Sequence, residues 1–494
     1  MAIPRDATFR RAEGLTFFLD SCQGFDVVNV MAKRQGGDIQ KSVTRADLRI
    51  LGRMSSWMTA DELGIQFFKL SGLVDRKCAF WSRTRPARTL VGGPLDKLEG
   101  KVALRENVFP RFVLDMGAKK YSLFPLMPRT GSLDNAKLAG VMLQNIELEQ
   151  IVGVAMFVCC AKHANSMRDL LLKLDGSHDV DELSRDKDHA AFLKVLDDLG
   201  YLTRRDPPPA MDGKSRLTWL AHAGLVYESR GKRIAIDPSA YPRGEPTRWA
   251  VNPVNLGDLN PLDAVLITHG DNDHFSPNAL IRFPPKTPIV IPKAKAPKPY
   301  HVDMKRMLAL SGMENVIEVE EWQELKFGDV KVVATPFRGE DWGLDLPTST
   351  FYVTSPDLTI FANADSTSDE EAYKRLAKDY PRIDVAFLGV TGAAESYAMP
   401  PGFGYGDFYV KWIPEAKHEE WVELCNGPPQ SVAAAKLLNA RYAFGYAAGG
   451  APFYTCAYSD RGTHAQFAKL LLESGGETKP LDFEVGVARS VPSA

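Results

Sequence analysis

Residues Ile267 to Phe275 read ITHGDNDHF. Four side chains that commonly ligate metals fall within six positions: His269, Asp271, Asp273 and His274. The apolar run DAVLI leads into them and SPNALIRF follows, so the stretch reads as a strand, a ligand-bearing loop and the start of a helix. Ligands at this spacing cannot all face one ion. They divide naturally between two neighbouring ions, as in sites whose metals lie about 3.5–4 Å apart. The plainer reading is a loop that is merely polar, and the apolar strand running into it weighs against that.

Moving outward, short apolar segments alternate with turns. RLTWLAHAGLVYESRGKRIAIDP (216–238) reads as two strands around a turn at Arg230 and Gly231. TPIVIP, VKVVATPF, TSTFYVTSP, LTIFANAD and DVAFLGV read as further strands. SPNALIRF, SDEEAYKRLAKDY, KHEEWVELC, PQSVAAAKLLN and THAQFAKLLLES read as helices. Strands followed by helices, twice over, imply two sheets flanked by helices.

Upstream, RRDPPPAMDGKS (204–215) sets three prolines before a polar, glycine-containing run. Proline fixes φ and lacks an amide donor, so no regular element continues through it. The chain therefore divides into an N-terminal α+β domain, 1–206, and a catalytic domain, 214–494. The first is expected to be mostly helical and to serve dimerisation or substrate docking. GGDIQKSVTRADLRILGRMSSWMTADELGIQFFKL (36–70) reads as helix-forming. HDVDELSRDKDHAAFLKVLDDLGYL (178–202) carries helical spacing, with Gly200 as a C-cap, and suggests a winged-helix-like unit.

At 494 residues the chain is too long for one ordinary domain. A formal net charge of −2 argues against nucleic acid as the main partner, because such binding rests on clustered Lys and Arg. The six cysteines show no zinc-finger or CxxC spacing. Cys159 and Cys160 lie in VGVAMFVCCA, too short a run to span a bilayer, and read as buried reduced thiols. The N-terminus lacks the apolar core of a signal peptide, so the expectation is a cytoplasmic protein with no membrane partner.

The quoted segments of the second half resemble the metallo-β-lactamase fold, an αββα sandwich, over roughly residues 214–470. LTWLAHAGLVYESRGKRIAIDP is similar to the opening hairpin of its lactonase and phospholipase-D-like branch. VLITHGDNDH resembles the metal loop, usually H-x-H-x-D-H, with Asp271 in place of the second histidine. LTIFANADST resembles the later strand, which ends in a bridging aspartate, here Asp365. The hydrolytic branches add two histidines, and this chain departs at both. RGEDWG follows VKVVATPF, so Glu340 takes the first position. RYAFGYAAGGAPF has no histidine where the second is expected.

The resemblance thus implies six metal ligands: His269, Asp271, Asp273, His274, Glu340 and Asp365. Four carboxylates balance two divalent ions and stabilise a higher oxidation state. Oxygen donors suit iron or manganese more than zinc. Helical di-iron carboxylate proteins use the same inventory. The di-iron oxygenase branch, the β-hydroxylase type that serves chloramphenicol biosynthesis, shares the large N-terminal domain and the glutamate. It hydroxylates aminoacyl groups held as thioesters on a carrier protein, and it keeps the histidine where Asp271 stands here.

The expectation is a dinuclear iron oxygenase with dioxygen as co-substrate and an external electron donor. Its substrate would be amino-acid-like, free or on a carrier protein, and a homodimer would form through the N-terminal half. The competing readings are a lactonase- or phosphodiesterase-like metal hydrolase and a docking protein with a decayed site. His222 is either a second catalytic contact beside Glu340 or a satisfied core histidine. Asp237 either orients the metal loop or serves a turn. His464 reads as an exposed residue at a helix start capped by Thr463, with catalysis as the alternative. PPGFGYGDF (400–408) is expected to be a mobile loop near the site and lacks the context of a nucleotide motif.

Overall fold

The computed structural model describes strands between residues 18 and 158, nearly all of 161–204, and 211–491 with gaps, the longest at 239–253, 296–302, 340–345, 397–420 and 448–461. Asp273, Glu340, His418, the glycine-rich loop, and Cys22, Cys78, Cys159, Cys160 and Cys456 lie outside the described residues.

Two seven-stranded sheets build the second half. The first runs Val316–Val319, Ile289–Pro292, Ala264–Leu266, Lys232–Ile236, Gly224–Ser229, Arg216–Ala221, Ala488–Arg489. The second runs Glu324–Phe327, Val330–Thr335, Thr350–Thr354, Thr359–Ala362, Val385–Gly389, Tyr442–Tyr446, Lys479–Pro480. Each mixes parallel and antiparallel pairs.

Period-two alternation explains the layers. Leu225, Tyr227, Ile234, Ile236 and Leu266 of the first sheet meet Val332, Phe351, Val353, Ile360 and Phe387 of the second in one central core. The residues between them face outward. Val226, Ala235 and Val265 pack under helices Pro277–Leu280 and Met304–Leu310. Val333, Phe361 and Ala386 pack under Glu370–Asp379, Pro428–Leu437 and His464–Glu473. Strands buried on both faces read as continuous apolar runs, which is what the sequence shows. The expected αββα sandwich is present.

Two details differ from the sequence reading. Residues 216–236 form three strands, because an additional tight turn at His222 and Ala223 precedes the hairpin at Arg230 and Gly231. In KHEEWVELC the described residues, 421–425, hold the strand Trp421–Glu423 rather than a helix. Before residue 160 the described elements are strands, and the helices expected there lie largely outside the described residues. Nine strands make one sheet, ordered Leu51–Gly52, Phe18–Ser21, Val27–Val30, Tyr121–Ser122, Val108–Asp115, Lys137–Glu147, Gln150–Val158, Ala79–Thr84, Gln66–Phe68. Within 36–70 the described elements are Val43–Arg45, Leu51–Gly52 and Gln66–Phe68.

Helices enter at Ala161–Lys173, Val180–Leu183 and Lys187–Asp198, around the small sheet Asp175–Asp179, Lys101–Leu104, Leu202–Thr203. Gly200 ends the last helix at φ 68°, with Tyr201 N–H reaching back to Leu196 O. Among the described residues no helix is long and apolar enough to cross a membrane.

Candidate metal centre

The strand Ala264–Leu266 delivers Thr268 and His269 to one edge of the sandwich, and His274 follows on the next turn. The neighbouring strand Lys232–Ile236 ends in Asp237, which is fully buried. Both oxygens of its carboxylate are occupied. Oδ1 accepts the Thr268 N–H at 2.8 Å. Oδ2 accepts the Thr268 hydroxyl and His274 Nδ1–H, the latter at 2.8 Å.

These bonds set the ring protons. A carboxylate only accepts, so His274 carries its hydrogen on Nδ1. The one Thr268 proton goes to Asp237, so Thr268 Oγ1 accepts from His269 Nδ1 at 2.9 Å. Both histidines therefore turn Nε2 away from the Asp237 network. A ring nitrogen that donates outward while its twin faces a shared space is the usual state of a metal-bound histidine.

From the second sheet, Thr359–Ala362 ends in the turn that carries Asp365. Asp365 Oδ2 lies 3.3 Å from His274 Nε2. Its other oxygen, Oδ1, is buried with no hydrogen-bond partner among the described residues. Leaving a carboxylate oxygen so is costly unless a cation takes it. His222 closes the cluster from the turn after Arg216–Ala221, its ring centroid 4.8 Å from that of His274. One donor atom each from His222, His274 and Asp365 lie within 4.8 Å of one another, all three buried. The residues present fit a metal ion.

Burial works against charge on His274, and Asp365 and Asp237 together outweigh it, holding its pKa well above the ordinary value. Burial likewise opposes charge on Asp365, yet His274 pulls its pKa below the ordinary carboxylate value. Burial, reinforced by His274, lowers the pKa of His269. The pocket thus favours negative oxygen beside positive charge, and neutral imidazole at His269.

The backbone is strained here. Ala221, His222, Asp237, Ala364 and Ala447 all have left-handed φ, at 91°, 47°, 41°, 48° and 47°. Each costs roughly 1–3 kcal/mol, and such outliers gather at functional sites.

Of the residues named from sequence, His269, His274, Asp365, His222 and Asp237 come together. Asp271 is at the margin, its Oδ2 4.0 Å from His269 Nε2. The described chain stops one residue short of Glu340, where Arg338 N–H reaches Ser366 Oγ at 2.9 Å and Thr367 N–H reaches Arg338 O at 2.7 Å. His464 is elsewhere, partly buried, between Gly445 N–H and Asp482. Thr463 does cap that helix, in a capping box with Gln466. Thr268 escaped the sequence reading. The only signal was its place directly before the first histidine.

Residues 216–404 match the Beta-lactamase superfamily domain, and the second half has the metallo-β-lactamase fold. The chain is 29% identical over 225 residues to a Streptomyces venezuelae 3-hydroxylase of a 4-amino-L-phenylalanyl group on a peptidyl carrier protein, covering 44% of this chain and 41% of that relative. It is also 29% identical over 183 residues to a UPF0173 metal-dependent hydrolase of Caldivirga maquilingensis, covering 36% of this chain and 70% of the relative. The crystal structure of CmlA, a diiron β-hydroxylase from Streptomyces venezuelae, shares the fold with a TM-score of 0.51 at 20% identity, over 75% of this chain and 74% of that one. That coverage exceeds what the second half alone supplies.

Proposed function

We propose that this protein is a non-haem dinuclear iron oxygenase that hydroxylates or oxidises an amino-acid-like substrate, presented free or as an aminoacyl thioester on a carrier protein. The observation that carries the metal centre is the convergence of His222, His274 and Asp365 around the unpartnered Asp365 oxygen. His269, Asp271, Asp273, His274, Glu340 and Asp365 would hold the ions, two imidazoles against four carboxylates. That balance suits iron better than zinc. Bound iron would supply the activation of dioxygen, and an external donor would supply the two electrons that each turnover consumes. Similarity to the carrier-protein hydroxylase, and a shared fold that reaches beyond the second half, support this reading over the hydrolase alternative.

The chain's own residues do the rest. Asp237 and Thr268 hold His269 and His274 in the tautomers that aim Nε2 at the centre. Phe337 packs against His269, ring centroids 5.2 Å apart. Raised protonation at His274 and lowered protonation at Asp365 keep their mutual attraction when no ion is present.

The test is metal analysis of the purified protein, followed by turnover of aminoacyl thioesters under labelled dioxygen with a chemical reductant. We expect two iron ions per chain and one labelled oxygen atom in the product. Full activity without dioxygen, or zinc-dependent opening of lactones or phosphodiesters, would overturn the oxygenase in favour of a hydrolase.

A further inference from the structure

We infer that His222 is itself a metal ligand and takes the place of the C-terminal histidine that the hydrolytic branches carry and this chain lacks. Three independent observations converge on it. First, donor atoms of His222, His274 and Asp365 lie within 4.8 Å of one another. Nitrogen and oxygen donors about 2.0–2.2 Å from a metal can be at most roughly twice that apart, so a small inward adjustment closes all three on one ion.

Second, the missing histidine is expected just beyond Tyr442–Tyr446. Ala447 directly follows that strand, and its N–H donates to His222 O at 3.2 Å. The His222 turn is thus docked on the strand end from which the absent ligand would have come. Third, the turn is held in a conformation it would not choose. Ala221 and His222 are both left-handed, and Trp219 Nε1–H binds His222 O at 2.8 Å from below. A histidine that only filled the core would not require two consecutive strained residues.

The donor set also has a chemical reading. Two imidazoles and one carboxylate on one face of an ion, with open positions opposite, is the arrangement of non-haem iron(II) oxygenases. His222 would complete that set on the ion shared with Asp365. The inference rests on the metal-centre reading above, and not on the choice between oxygenase and hydrolase.

Cobalt(II) titration of the apo-protein separates the cases. The wild type should bind two ions per chain. His222→Ala should bind one of them at least about tenfold more weakly, since even residues that only orient ligands change affinity by about 10–100-fold. Its visible absorption should change, and added imidazole should restore both affinity and spectrum. Wild-type affinity and spectrum in His222→Ala would overturn the inference while leaving the metal centre intact. A wild type that binds no cobalt would remove the metal centre itself. If His222→Ala does not fold, cobalt-loaded wild type decides: paramagnetically shifted, exchangeable imidazole protons should come from three histidines, and signals from two would overturn the inference.

Discussion

Asp237 shows how much one side chain outside the ligand set controls. Its carboxylate accepts from Thr268 twice and from His274 once, with no exposure to solvent. In Asp237→Asn one oxygen becomes an amide donor. It then faces Thr268 Oγ1 and His274 Nδ1, both of which already bring hydrogens. His274 would move its proton to Nε2, the nitrogen aimed at Asp365, and His269 would lose the acceptor that fixes its ring. Metal affinity should fall about 10–100-fold, the usual cost of removing a residue that orients ligands. Isothermal titration with iron(II) or cobalt(II) checks this, and unchanged affinity would show that Asp237 serves only the turn.

At the scale of elements, the turn after Thr359–Ala362 is clamped so that Asp365 faces the first sheet. Asn363 binds Gly389 N–H through its side-chain oxygen at 2.7 Å and Ser366 O through its amide. Tyr446 OH accepts the Ala364 N–H at 2.8 Å, and burial keeps that phenol neutral, well above its ordinary pKa. Gly389 allows the approach, since a Cβ there would lie 2.4 Å from Ala364 O, a backbone atom. Gly389→Ala should therefore cost about 1–3 kcal/mol, as overpacking does, and weaken metal binding by displacing Asp365. Urea denaturation and metal titration of the same variant measure the two effects. The strands on either side were legible because burial on both faces leaves nearly unbroken apolar runs. The quoted loop gave His269 and His274, and the end of LTIFANAD gave Asp365. What was not legible follows from the same physics. Local propensity opposes a left-handed Ala221 and His222, so the turn that brings in His222 looked like continuous strand. Thr268 is one hydroxyl in a polar loop until folding sets Asp237 against it. The N-terminal sheet pairs strands far apart in sequence, as Val27–Val30 with Tyr121–Ser122, and no local period announces that.

For the whole molecule, the centre lies where separate parts meet. His222, His269 and His274 come from the first sheet, Asp365 from the second, and the central core holds the sheets together. The N-terminal half reaches the same neighbourhood. Strand Val108–Asp115 lies against helix Pro277–Leu280, which closely follows the loop that carries His269 and His274. Arg168 of helix Ala161–Lys173 binds Gly312 O at 3.3 Å, just past helix Met304–Leu310. An ion bound at the edge would therefore tie the two sheets to each other, and its removal should be felt in global stability. By linkage, an ion at a hundredfold excess over its Kd adds about 2.7 kcal/mol to the folded state. For a unit of this size each kcal/mol moves Tm by roughly 2–4 °C. Chelation should thus lower Tm by on the order of 5–10 °C, and readdition of iron(II) under nitrogen should restore it. The shift should shrink in Asp365→Asn, which gives up the only candidate ligand among the described residues of the second sheet. If scans of loaded and chelated wild type coincide, the ion does not bridge the sheets, and the edge is held by protein contacts alone.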